Sequence, residues 1–151
     1  MNEWDKRFIR QAKEISTWSK DPRTLIGAIA VKDRRILSTG YNGFPRGVAD
    51  DERLDVREIK HKYVVHAEAN CIYNAVHHGV SLAGSTFYVY GLPVCNECAK
   101  GIIQSGVTRV VMQLRELPTN KWQDSYQITK EMFREAKISF EMYLLDNEIS
   151  L

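Results

Sequence analysis

The pair Cys95-x-x-Cys98 restricts this chain more than any other feature. It opens a segment in which Cys98, Ala99, Ile102 and Ile103 recur at helical spacing, and Gly106 follows as a stop. Two cysteines three apart lie on one face of a helix, so both sulfurs can clasp a single ion. At the first turn, the positive end of the helix dipole favours thiolate. Taken alone, the pair fits a redox couple or half of a structural zinc site equally well. A third donor is available in His66, which begins the preceding helical pattern of Ala69, Ile72, Tyr73 and Val76, closed by Gly79. Any fold that uses all three must bring two helix N-termini together.

The count of donors decides the kind of site. Structural zinc is usually closed by four protein ligands, whereas catalytic zinc keeps one position for water. Cys71 is the one further cysteine. It falls roughly 140° around an ideal helix from His66 and so points elsewhere. The expectation is three ligands plus water. Glu68 supplies the carboxylate that such a water needs as proton acceptor and donor. Residues 66 and 68 sit on opposite sides of a regular helix, so both reach the site only if His66 has a non-helical backbone at the helix boundary. A zinc that merely holds the fold, the competing reading, has no use for Glu68.

The rest of the chain alternates strands and helices. Trp4, Phe8, Ile9, Ala12 and Ile15 predict an amphipathic helix from about 3 to 18. Runs at 25–31 and 35–39 read as a hairpin across Lys32-Asp33-Arg34, and 85–90, 107–112 and 138–144 as further strands. A last helix is predicted around 124–137. Between Gly40 and Val65 the pattern predicts a long irregular segment, dense in charge from Asp50 to Lys62. At 151 residues the chain is expected to form a single domain, 1–151, of α/β class with helices covering a central sheet.

His66-Ala67-Glu68-Ala69-Asn70, followed by Cys95-Asn96-Glu97-Cys98-Ala99-Lys100, resembles the cytidine and deoxycytidylate deaminase family, whose signature is of this form. The deoxycytidylate branch is the nearer likeness. Ser19-Lys20-Asp21-Pro22 before Ile26-Gly27-Ala28, the Gly40 to Pro45 segment, the acids Asp50-Asp51, Lys62-Tyr63, and Ile102 to Gly106 all match its pattern, over about residues 4 to 145. Two departures stand out. Val94 separates Pro93 from Cys95, where the family usually has proline directly before the cysteine. No cysteine lies between Gly40 and Val65 to hold the second, structural zinc of some relatives.

The resemblance implies a three-layer α/β/α cytidine-deaminase-like fold with a mixed sheet of about five strands. It implies one catalytic Zn2+ on His66, Cys95 and Cys98, with Glu68 moving protons, and hydrolysis of dCMP to dUMP and ammonia, which feeds thymidylate synthesis. Substrate contacts carry over to Arg23 for the phosphate, Asn42 for the sugar, Ala67, and Trp122 as an aromatic wall for the base. Lys20 and Arg46 are weaker phosphate candidates. Many relatives are homohexamers, activated by dCTP and inhibited by dTTP with Mg2+. Carried onto this chain, the effector residues are Gly43, Phe44, Arg46, Gly47 and Asp50. Cytidine, deoxycytidine or an RNA base are alternative substrates. His61, His77 and His78 read as surface histidines.

A formal net charge of +2 lacks the basic footprint of a nucleic-acid binder, so the expected partners are small nucleotides and other copies of the chain. No apolar run approaches the roughly 20 residues that cross a bilayer. The acidic start, Met1-Asn2-Glu3-Trp4-Asp5, is unlike a signal peptide, and the expected location is cytoplasmic, or host cytoplasm for a viral protein.

Overall fold

The computed structural model describes residues 1–144. Its elements run α1 (Glu3–Ser16), β1 (Gly27–Lys32), β2 (Arg35–Tyr41), a 3-10 turn (Glu52–Asp55), α2 (Arg57–Tyr63), α3 (Ala67–His78), β3 (Thr86–Gly91), α4 (Asn96–Gln104), β4 (Arg109–Leu114), α5 (Asn120–Glu135) and β5 (Ser139–Leu144). The five strands form one mixed sheet in the order β2-β1-β3-β4-β5. β1 is antiparallel to β2 and β3, whereas β3, β4 and β5 run parallel.

Period-two alternation divides the sheet into two faces. Ile29, Val31, Tyr88, Tyr90, Val111 and Tyr143 point to one side, where Phe8, Ile9, Ala12 and Ile15 of α1 cover them. Ala28, Ala30, Phe87, Val89, Val110 and Met112 point to the other, against α3, α4 and α5. The result is the expected three-layer α/β/α arrangement. No helix among the described residues is long and apolar enough to cross a membrane.

Gly40 sets how closely α3 approaches the sheet. A Cβ there would lie 2.3 Å from both the Ala67 carbonyl and the Cys71 amide nitrogen. Only a bare backbone lets β2 meet the first turn of α3 this closely.

One expectation is overturned. The segment from Gly40 to Val65 is not irregular throughout, because its charged half carries the 3-10 turn and α2. The turn begins at Asp51, whose side chain accepts from the Arg53 amide. α2 was hidden because it buries polar residues where a core helix buries apolar ones: its buried residue is Lys60. The terminal helices are also shifted at their ends, α1 stopping at Ser16 and α5 starting at Asn120.

Candidate active site

His66 is the N-cap of α3, with extended φ −66° and ψ 154°. This is the non-helical boundary that His66 and Glu68 require to share a site. Cys95 is likewise the N-cap of α4, at φ −74° and ψ 162°, and its sulfur accepts from the Cys98 amide at 3.4 Å. The inserted Val94 leaves this cap intact. Val94 is fully buried, and its carbonyl accepts from the Thr129 hydroxyl at 2.9 Å. Ser125 accepts from the Asn96 amide at 2.9 Å and donates to the Asn96 side chain at 2.7 Å. α5 therefore clamps the start of α4, a role for Ser125 and Thr129 that no local pattern signals.

The two caps converge. His66 Nδ1 lies 3.5 Å from Cys95 Sγ and 3.4 Å from Cys98 Sγ. All three donor atoms fall within 4.8 Å of one another, the one such group of ligand side chains among the described residues. A tetrahedral zinc with Zn–N near 2.0 Å and Zn–S near 2.3 Å would set its nitrogen and sulfur ligands about 3.5 Å apart. The donor set fits zinc in both type and spacing. Cys71 takes no part: it is fully buried in the core, and burial pushes its thiol up to about 12.

Electrostatics at the cluster follow from its contacts. A hydrogen bond from Cys98, helped by His66 and the Cys98 amide and opposed by burial, brings the Cys95 thiol well below its ordinary value. The Cys98 thiol moves the opposite way beside that anion. The Cys95 contact also raises the His66 imidazole, against the opposing effect of burial. Glu68 is 4% exposed, and burial pushes its carboxyl up to about 7 although His66 pulls it down. A carboxyl poised near neutrality both accepts and returns a proton readily.

A cleft of about 280 Å³ opens above the cluster. Its walls are Asp21, Arg23, Thr24, Ile26 and Asn42 on one side, His66, Ala67, Glu68 and Cys95 at the cluster, and Leu92, Pro93 and Trp122 beyond. Arg23, Asn42, Ala67 and Trp122, predicted for substrate contact, line it, whereas the weaker phosphate candidates Lys20 and Arg46 do not. Asn42 is also structural: Oδ1 accepts from the Ile26 amide at 2.9 Å and Nδ2 donates to the Thr24 carbonyl at 2.8 Å. Asp21 folds the Arg23 turn by accepting from the Arg23 and Thr24 amides at 2.9 and 3.0 Å.

The remaining wall is α2 and its C-cap, which contribute Arg57, Lys60 and His61, and Val64. The sequence pattern assigns no role to Arg57, Lys60 or Val64, and the structure places His61 in the cleft wall and not on the outer surface expected of it. Their i, i+3, i+4, i+7 spacing was the available signal, concealed because the stripe is mostly polar.

The residues predicted for an effector lie outside the cleft lining and have differing partners. Gly43 pairs with Val65 through two backbone hydrogen bonds of 3.1 and 2.8 Å. Phe44 packs on Tyr63 with ring centroids 5.7 Å apart. Arg46 bonds to Asn74 of α3 beside a separate depression lined by Ser38, Thr39 and His78. Gly47 has φ +79°, and Asp50 pairs with Lys20 at 3.0 Å.

Comparison with known proteins gives a consistent picture. Residues 2–114 match the family model described as the cytidine and deoxycytidylate deaminase zinc-binding region. An uncharacterized deaminase of Aliivibrio fischeri is 37% identical, with 97% of each chain covered. The human deoxycytidylate deaminase is 34% identical over 94% of this chain and 80% of its own. The fold also matches the cyanophage S-TIM5 dCMP deaminase in complex with dCMP and dUMP, with a TM-score of 0.75, 24% identity, and coverage of 94% of this chain and 98% of that one.

Proposed function

The chain belongs to the cytidine and deoxycytidylate deaminase family, and from that membership we propose that it hydrolyses dCMP to dUMP and ammonia. The observation that carries this reading is Glu68, buried beside a three-donor His/Cys/Cys cluster at the base of a cleft. His66, Cys95 and Cys98 would hold zinc, which when bound supplies Lewis acidity toward water.

The chain's own groups do the rest. Glu68 takes a proton from the water that attacks C4 of the pyrimidine and gives it to ring N3; it then takes the second proton from the new C4 hydroxyl and passes it to the 4-amino group, which leaves as ammonia as the C4 carbonyl forms. Ala67, at the first position of α3, and Trp122 bound the space for the base. Asn42 has a second Nδ2 hydrogen beyond the one given to Thr24, and this suits a sugar hydroxyl. Arg23, exposed on the turn that Asp21 folds, supplies a cation for the 5′-phosphate. A phosphate contact favours dCMP over cytidine or deoxycytidine. The formal charge of +2 argues against an RNA substrate.

Regulation by dCTP as activator and dTTP with Mg2+ as inhibitor belongs to the same reading, as does assembly into homohexamers. The support is a physical link. Gly43 is bonded on both backbone sides to Val65, the residue before His66, while its neighbour Asn42 lines the cleft. Ordering the 43–50 segment by a ligand would be felt at both points.

The test is ammonia release by the zinc-loaded protein from cytidine, deoxycytidine, dCMP and dAMP, each with and without dCTP and dTTP. Preference for dCMP is the expected result. Equal turnover of deoxycytidine, or none of dCMP, would overturn the reading.

A further inference from the structure

α2 presents Arg57, Lys60 and His61, followed by its C-cap Val64, to the same cavity as the metal-type cluster. Its charges are not equivalent. Lys60 is 7% exposed, and its Nζ lies 2.9 Å from Asp21 Oδ2, whose side chain is equally buried. Asp21 in turn accepts from the Arg23 and Thr24 amides. That anion is therefore fully committed, and it balances the lysine. One buried ion pair thus ties α2 to the turn that carries Arg23.

Two arginines are left over on this wall. Neither Arg23 nor Arg57 forms an ion pair with any described residue, and both are exposed to the cleft. Arg57 Nε donates to His61 Nε2 at 3.2 Å, which restrains the guanidinium along the helix face while its Nη groups remain to meet a ligand. The paired acids and bases cancel, so this wall carries an uncompensated charge from two guanidiniums. Guanidiniums meet phosphate oxygens with paired N–H donors better than other side chains do.

We propose that α2 is the specificity element of the cleft. Arg57 contacts the 5′-phosphate together with Arg23, and the Lys60–Asp21 pair positions the two arginine-bearing segments against each other. This rests on the assignment of a deoxynucleoside monophosphate as substrate. Arg57 discriminates a monophosphate from a nucleoside. Lys60 and Asp21 act through Arg23 and Arg57 and need not touch the ligand.

The experiment is calorimetric titration of dUMP and of deoxyuridine into the zinc-loaded full chain, alongside steady-state kinetics on dCMP. Arg57→Ala should weaken dUMP about tenfold and raise KM for dCMP by a similar factor, with deoxyuridine affinity held within about twofold. Arg57→Lys should recover part of the loss. The double change Asp21→Asn with Lys60→Met removes both buried charges but leaves an amide oxygen for the Arg23 turn. It should weaken dUMP several-fold more than deoxyuridine, whereas a purely structural role would weaken both alike. Unchanged dUMP binding in Arg57→Ala, an equal loss of dUMP and deoxyuridine, or no dUMP binding by the wild type at millimolar concentration would overturn the proposal. If dUMP binding depends on Arg57 but the wild type releases no ammonia from dCMP, the wall stands and the substrate assignment falls.

Discussion

Asp5 of α1 and Arg109 of β4 meet in a two-armed ion pair: Nη1 lies 2.7 Å from Oδ1 and Nη2 2.8 Å from Oδ2. The Tyr88 hydroxyl donates to Asp5 at 2.8 Å, and Glu141 holds the far side of the guanidinium at 2.7 Å. Asp5 also caps α1 in a reciprocal box with Asn2. One buried carboxylate therefore fixes the helix start to β3 and β4 together. Asp5→Asn should cost about 2–3 kcal/mol, because charged hydrogen bonds become neutral ones in a buried place. A fall in Tm of roughly 5–10 °C is expected by calorimetry.

The same pair sets a pH dependence. Burial alone would push the Asp5 carboxyl up, but hydrogen bonds from Arg109, Tyr88 and the Asn2 backbone overcome it and hold the group below its ordinary value. A carboxyl depressed on folding stabilises the protein fully above its unfolded value of about 3.9. That contribution disappears as the pH falls through the lower folded value. Urea titrations of wild type and Asp5→Asn should therefore differ by a constant amount from pH 7 down to about 5, begin to narrow near about 4, and converge only below the depressed folded value. A gap that widens on acidification would refute the assignment.

Metal content tests the cluster directly. One zinc per chain is expected by elemental analysis, and Cys98→Ala or His66→Ala should abolish retention after gel filtration. Cys71→Ser should leave the stoichiometry at one. Two zincs per chain, or loss of zinc with Cys71, would show that the wrong donors have been chosen.

Glu68→Gln separates holding the metal from moving protons. The amide is nearly isosteric, so zinc content should be unaltered while kcat for dCMP falls by about 10²–10⁴. Arg23→Ala should show the opposite split. Loss of a charge-assisted phosphate contact of roughly 1.5–3 kcal/mol raises KM about tenfold or more and moves kcat far less.

Arg46→Glu addresses the effector segment. Calorimetric titration of dCTP and dTTP with Mg2+ should show binding to the wild type and a large loss in the variant, at unchanged zinc content. Neither effector binding the wild type at millimolar concentration would remove the segment from regulation.

The chemistry was more legible in the sequence than the recognition surface was. His66, Glu68, Cys95 and Cys98 carry side chains with few other uses in this order, and helical periodicity around them placed both caps. α2 left no such trace, because Arg57, Lys60 and His61 face a cleft and look like solvated charge in any apolar count. The Asp5–Arg109 pair was illegible for a different reason: its partners stand 104 residues apart, and nothing local to either one signals the other. Val94 had a visible oddity, one residue more than the family's proline-cysteine junction, yet nothing local shows that Thr129 reaches its carbonyl from α5.

The origins of the cleft's two ends along the chain have an evolutionary corollary. Glu68 and the three metal-type donors all come from the caps and first turns of α3 and α4, fastened to the sheet by Gly40 and to α5 by Ser125 and Thr129. The cationic wall comes from two outlying stretches, the turn at 21–24 and α2, joined to each other chiefly through Lys60 and Asp21. Selection can thus retune what the protein accepts by rewriting α2 and its partner turn, while the reaction centre is inherited untouched. Grafting a relative's segment in place of residues 50–62 should transfer ligand preference without loss of zinc.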